Sequence, residues 1–251
     1  MASFTGRKPR SKAKQWWSTA PPSPSPQRFA TPGKTIPPVP TSTMLRACLR
    51  FLSVPMTGIR NTLRCCAHET FIDCPYYEES QFPGDTRVQA LISYVLFGDT
   101  RLGQQATRQF AWSVNSEGFI SARYPTNSRY YIPNYSLYWV GMLYDYMRYA
   151  GDSAFIAEHL PVMHHVLGYF ERLARPDGSL RLPAYHNFVD WSFPRGEAPV
   201  DGAGYSALVD LHGLPALQWA AELEAYAGDP LRAARYRQLA ERMAPNLKAR
   251  Y

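Results

Sequence analysis

One joint recurs along the chain and constrains its fold more than any other feature. Phe97-Gly98-Asp99-Thr100 returns as Ala150-Gly151-Asp152-Ser153 and again as Ala227-Gly228-Asp229-Pro230. Glycine just past a helix end accepts the left-handed conformation without steric cost. The following aspartate accepts hydrogen bonds from the free N–H groups of the next helix. Pro230 stands where a first helical residue belongs, which suits its fixed φ. Three such joints mean three helix-to-helix turns.

The flanking periods agree. Val88, Leu91, Ile92, Val95 and Leu96 form one apolar stripe. Leu160, Met163, Leu167, Phe170 and Leu173 form another, with Pro161 opening or kinking that helix. Tyr135–Tyr149 differs, because its apolar and aromatic residues wrap most of the helix, so it is buried on more than one side. The spacing predicts about seven helices, over 44–70, 86–97, 100–114, 134–150, 153–174, 203–227 with a break near Pro215, and 230–250. Strand signals are few. Antiparallel hairpins of one buried and one amphipathic helix predict an all-α helical toroid. The longer loops, 115–133 and 176–202, are of a length that often carries function.

Charge and composition divide the chain. Residues 1–40 hold seven bases, no acid and nine prolines, while the remainder balances 20 bases against 20 acids. The net +7 therefore belongs to the tail, and residues 44–251 give no general argument for a nucleic-acid partner. Such a tail buries too little apolar surface to order itself, so residues 1–43 read as disordered. They are a solvated tail or an upstream start, the alternative being a basic interaction arm. No apolar run reaches the length of a membrane span. Met44–Gly58 is broken by Arg46, Arg50 and Pro55 and makes no standard signal peptide. Cys48, Cys65, Cys66 and Cys74 lack metal-site spacing and read as reduced core thiols.

Residues 71–87, FIDCPYYEESQFPGDTR, fit neither helix nor strand period. Four acids, Asp73, Glu78, Glu79 and Asp85, stand among Tyr76, Tyr77 and Phe82. A carboxylate cluster walled by aromatics suits a sugar: carboxylates bind hydroxyl pairs, and ring faces cover the apolar C–H face. Glycosidases use two carboxyl groups, one with its pKa raised by apolar surroundings. On the residues alone, Asp85 also reads as a helix cap, and Glu78 and Glu79 as solvated loop acids.

Asp73-Cys-Pro, the acid-bearing stretch after it and Gly84-Asp85 resemble the signature of glycoside hydrolase family 78, the bacterial α-L-rhamnosidases. The resemblance runs from about Asn61 to the end and covers the first half or so of that family's catalytic domain. It includes the Ile132–Gly141 helix start and the Val189-Asp190-Trp191 loop. It implies an (α/α)6 barrel, a carbohydrate substrate, and hydrolysis with inversion that needs no metal or cofactor. It further implies Glu78 as general acid, seven residues before Asp85, with Glu79 the rival if the loop is counted from Asp73. Asp73 and Asp85 resemble the acids that hold sugar hydroxyls. Trp139 and Trp191 resemble pocket walls, and Asp190, next to Trp191, is a further substrate-binding candidate. Tyr77 stands where the family commonly has Arg and Phe82 where it has Trp, which bears on the choice of sugar. The family's general base comes from the second half of the barrel, and no residue here matches it. The chain thus reads as a truncated catalytic domain. The competing readings are a non-catalytic carbohydrate-binding remnant and an interaction protein working through its tail.

Bland roles are expected for the histidines. His159, His164 and His165 have surface or packing places on a helix, and His68 has a structural one, the alternative being contact with the nearby acid-bearing loop. Asp201-Gly-Ala-Gly204 lacks the preceding strand that a phosphate loop requires.

Overall fold

A computed structural model describes residues 56–250. The expected disordered tail and the first part of the expected helix 44–70 lie outside these residues. Seven α-helices follow one another: α1 (Met56–Cys65), α2 (Pro83–Phe97), α3 (Arg101–Trp112), α4 (Pro133–Ala150), α5 (Ser153–Leu173), α6 (Ala207–Ala227) and α7 (Pro230–Arg250). Among the described residues there is no β-strand, only four isolated bridges within the loops.

The Gly-Asp joints fold as their chemistry dictates. Gly98, Gly151 and Gly228 end α2, α4 and α6 with φ of 65°, 68° and 95°. Their N–H groups close on the carbonyls of Tyr94, Met147 and Glu224. Asp99, Asp152 and Asp229 then accept from the backbone N–H of Arg101, Phe155 and Arg232 at 2.9–3.0 Å. Each joint turns the chain back, giving the hairpins α2–α3, α4–α5 and α6–α7. Between hairpins, α2 packs on α4 and α4 on α6, while α3, α5 and α7 pack outside them. This is a partial (α/α)6 toroid with α2, α4 and α6 as its inner ring.

The inner helices run in the same direction, since each is followed by an antiparallel partner. Their C-terminal ends carry the short joints, and their N-terminal ends receive the long loops. α4 is the centre of the packing. Its Trp139, Val140 and Leu143 are fully buried. Arg87 of α2 ties the ring together: its Nε donates to Asp145 of α4 at 2.7 Å, and its guanidinium lies 4.0 Å above the ring of Trp219 on α6. A Cβ on Gly141 would meet that guanidinium at 2.5 Å, so the glycine makes room for the clamp. Burial pushes the Asp145 carboxyl up, against the opposing pull of Arg87.

Several boundaries differ from the sequence reading. α1 ends at Cys65, because the chain turns at Cys66 into a bridge between Ala67 and Phe71. α2 begins at Pro83, whose missing N–H and fixed φ suit a first helical position. Asp85 is therefore inside the first turn and is not the cap; extended Phe82 precedes the helix. α6 starts at Ala207, after an Asx turn in which Asp201 accepts from the N–H of Ala203 and Tyr205. It passes through Pro215 without ending there. The carbonyl that Pro215 leaves unserved belongs to Leu211, an exposed residue where water can replace the lost bond. Pro161 likewise lies inside α5 rather than at its opening. All three described cysteines are free thiols, but only Cys66 is buried and Cys65 is exposed, so Cys65 is no core thiol.

Candidate active site

The loop before α2 is pinched at its base. Asp73 donates its backbone N–H to the Ser80 carbonyl at 2.9 Å, and its carboxylate accepts the Ser80 N–H at 2.9 Å. Gln89 of α2 holds the Ile72 carbonyl at 2.6 Å. The six residues between Asp73 and Ser80 are thereby forced outward as a tip. A turn over 75–78 places Glu78 at its end, and the Ser80 hydroxyl donates to the Glu78 carbonyl. Glu79 follows with φ 47°, a left-handed conformation that costs a non-glycine residue about 1–2 kcal/mol.

Two of the acids, Glu78 and Asp85, act on a common set of tyrosines, and Asp73 acts on Asp85. Asp73 is half-buried, and Glu78 and Asp85 reach solvent. Although accessible, the Asp85 carboxyl is surrounded by enough protein that lost hydration pushes its pKa up. Its own N–H opposes the shift and the Asp73 charge adds to it. Tyr135, in the first turn of α4, is pushed up by burial and then by both Asp85 and Glu78. Tyr130 is raised by burial and by Glu78, and Tyr138 by burial and by Asp85. The α2 loop tip and the start of α2 thus act electrostatically on one set of phenols.

The remaining sequence candidates divide. Trp191 is exposed on the loop before α6, edge-on to Phe188 at 4.9 Å, and Phe188 stands edge-on to Tyr135 at 6.3 Å. Asp190 beside it is fully open, and hydrogen bonds from the Ser192 hydroxyl and N–H hold its carboxyl below the usual range. Tyr77 is exposed and packs edge-on with Tyr76 at the loop tip. Trp139 requires correction. It is fully buried, with its indole N–H donating to the Thr107 carbonyl of α3 at 2.8 Å, so it is core and not a pocket wall. It faces the outer layer because the lumen side of α4 is taken by Gly141 and Asp145, against which Arg87 lies. Phe82 is also buried, leaving no ring face open to a ligand.

Residues beyond the sequence candidates complete the cluster. Asn134, Tyr135 and Tyr138 share one face of the first turns of α4. Asn134 donates to the Phe188 carbonyl at 2.7 Å, and the Tyr138 hydroxyl meets His212 Nε2 of α6 at 3.1 Å. The i, i+1, i+4 spacing on a helix following a long loop was a usable signal for the α4 residues. His212, a lone histidine in α6, gave none. The other histidines take structural places: His159 is buried on the Phe155 carbonyl, His164 pairs with buried Glu224, and His165, His68 and His186 meet the carbonyls of Asn115, Cys65 and Arg195.

Among the described residues no group of His, Cys, Asp or Glu could hold a metal, and no helix is long and apolar enough to cross a membrane. A cavity of about 430 Å³ opens elsewhere, lined by residues of α4 to α7 such as Leu137, Phe170, Leu217 and Met243. Its one acid, Glu171, is paired with Arg235, so it offers no free carboxylate. The acid cluster is instead an open surface at the N-terminal ends of the inner helices.

Residues 55–251 match the family model for the bacterial alpha-L-rhamnosidase six-hairpin glycosidase domain. The chain superposes on the family 78 rhamnosidase of Bacillus sp. GL1 with a TM-score of 0.67 and 28% identity, over 76% of this chain and 20% of that one. A rhamnosidase from Klebsiella oxytoca with rhamnose bound gives 0.65 and 25%, over 77% and 37%. The α-L-rhamnosidase of Dictyoglumus thermophilum, at 0.62 and 17% over 79% and 23%, shares the fold. No curated protein matches the chain. The chain spans 20–37% of the length of these solved structures. A family match over most of the chain, on a scaffold of inner and outer helices that gathers the acids at one end, places this protein in the bacterial α-L-rhamnosidase six-hairpin glycosidase family.

Proposed function

We propose that this chain is the N-terminal half of an inverting glycosidase domain of α-L-rhamnosidase type, acting on a terminal sugar. What supports the reading is that Asp85 and Glu78 both act electrostatically on Tyr135, with Asp73 pinned at the base of the same loop. Glu78, at the tip, takes the role of general acid, with Glu79 displaced from it by its left-handed backbone. Asp73 and Asp85 bind sugar hydroxyls, and exposed Trp191 supplies a ring face. The rhamnose bound to the Klebsiella oxytoca relative supports rhamnose or a close analogue as the sugar.

The chemistry divides between two carboxyl groups. Glu78 protonates the glycosidic oxygen as its bond to the anomeric carbon breaks. A base on the opposite face takes a proton from the attacking water. Six hairpins close such a barrel, and three inner helices are described here, so the base falls to a loop of the second half, outside these residues. The tail's alternative role as an interaction arm also lies outside them.

Turnover of an α-L-rhamnoside with a poor leaving group tests the reading. The 251-residue chain alone is expected to be nearly inactive. A version completed with the second half of the domain is expected to be active, and Glu78→Gln in it should lower kcat/KM by about 10²–10⁴-fold. Full activity of Glu78→Gln removes Glu78 from the acid role. Sugar binding with no turnover in the completed protein favours a carbohydrate-binding remnant.

A further inference from the structure

The first turns of α4 and α6 share a polar chain that the acid–base scheme does not use. Asn134 is buried, and its Nδ2 lies 2.7 Å from the Phe188 carbonyl oxygen and 3.3 Å from Nδ1 of His212. The other ring nitrogen, Nε2, lies 3.1 Å from the Tyr138 hydroxyl. One end fixes the direction of the whole chain. A backbone carbonyl only accepts, so the Asn134 atom facing Phe188 is the amide nitrogen. That nitrogen only donates, so His212 Nδ1 is the bare, accepting nitrogen. The neutral ring then carries its proton on Nε2 and donates it to the Tyr138 oxygen. Burial favours this neutral ring.

Tyr138 accepts from His212 and therefore keeps its own proton for another acceptor. Among the described residues its hydroxyl has no further hydrogen-bond partner. Its ring lies against the first turn of α2, 3.9 Å from where a Cβ on Gly84 would stand, and feels the charge of Asp85. The side chain is only partly buried, so a ligand can reach it.

We infer that the Asn134–His212–Tyr138 chain is a positioning relay that presents the Tyr138 hydroxyl as a hydrogen-bond donor to a sugar oxygen beside Asp85. The identity of the sugar rests on the rhamnosidase reading; the direction of the relay does not. A phenol donor next to a carboxylate acceptor suits a sugar hydroxyl, which can accept from one and donate to the other at once. The relay also joins the parts of the site. Asn134 grips the Phe188 carbonyl, and the Phe188 ring supports Trp191, so the loop before α6 is held to the helix that carries Tyr138.

The test uses the full 251-residue chain with isotopically labelled histidine, read by long-range nitrogen–proton NMR, and calorimetric titration with L-rhamnose. His212 is expected to show a protonated Nε2 and a bare Nδ1. Asn134→Asp places a carboxylate oxygen against Nδ1 and should move the proton there. Tyr138→Phe should leave the tautomer unchanged and weaken rhamnose binding about fivefold to tenfold, the loss of one neutral hydrogen bond. A protonated Nδ1 in the unmodified chain overturns the relay, whatever the sugar does. Unchanged rhamnose affinity in Tyr138→Phe, with the tautomer as expected, overturns the presenting role. Absence of rhamnose binding by the unmodified chain overturns the sugar assignment, while the NMR pattern still decides the relay by itself.

Discussion

At their C-terminal ends α2, α4 and α6 finish in joints of two or three residues; at their N-terminal ends the same helices receive loops over 66–82, 113–132 and 174–206. The joints satisfy their own polar groups, each with a left-handed glycine and a capping aspartate. The loop ends do not. Among the described residues, the buried side-chain polar atoms without a protein partner, on Gln81, Thr86, Gln89, Arg123, Asn134 and Ser206, all lie in these loops or in the first two turns of the inner helices. The two described non-glycine residues with positive φ, Glu79 and Arg195, are there too. The exposed rings of Tyr76, Tyr77, Tyr130 and Trp191 belong to the same side. One end of each helix is optimised for stability. The other holds strain and unspent hydrogen-bonding capacity, which is where function draws on it.

That contrast can be broken by substitution. The largest expected effect is in the core that both ends share: Trp139→Ala should cost about 3–5 kcal/mol by leaving a cavity and removing the indole bond to α3, read as a lowered denaturation midpoint. A loss below about 1 kcal/mol would mean that Trp139 faces the lumen after all. Gly151→Ala at a joint should cost about 1–2 kcal/mol, because alanine resists a φ of 68°. At the opposite end the sign should reverse. Glu79→Gly should stabilise the fold by less than about 1 kcal/mol, relief of a left-handed glutamate outweighing the entropy glycine adds to the unfolded chain. A clear loss of stability would show that the loop needs the Glu79 side chain.

The smallest expected effect concerns pH. The Asp85 carboxyl is raised in the folded protein above its ordinary value of 3.8. The folded state therefore holds this proton more tightly than the unfolded one, and stability falls as pH rises from about 3.8 through the raised value. Asp85→Asn should flatten that part of the curve of melting temperature against pH and slightly raise stability at neutral pH. A steeper acidic limb in the variant would contradict the burial of this carboxyl.

The sequence was readable where structure is local. The joints, the order of the helices and most of their boundaries follow from caps and periods. α2 starts early because Pro83 acts before Asp85 can, and Pro215 is tolerated because Leu211 lies at the surface, a tertiary fact. The acids at 73, 78 and 85 were visible as a cluster, and their loop was legible as irregular. Which face of α4 looks into the lumen was not, since nearly all of that helix is apolar, and this misplaced Trp139. His212 was invisible because only folding brings it to Tyr138.

The Arg87 clamp also sets an order of assembly. Its three partners leave the ribosome after it: Gly141 and Asp145 with the second hairpin, and Trp219 only when α6 emerges. Until then the guanidinium has its anion but no aromatic lid, and the inner ring has two of its three described members. Contacts between segments so distant in sequence form late and slow the search for the native state. A chain halted before Trp219 therefore holds the Arg87–Asp145 pair without the ring that covers it, and the inner ring can close only once the third hairpin has emerged.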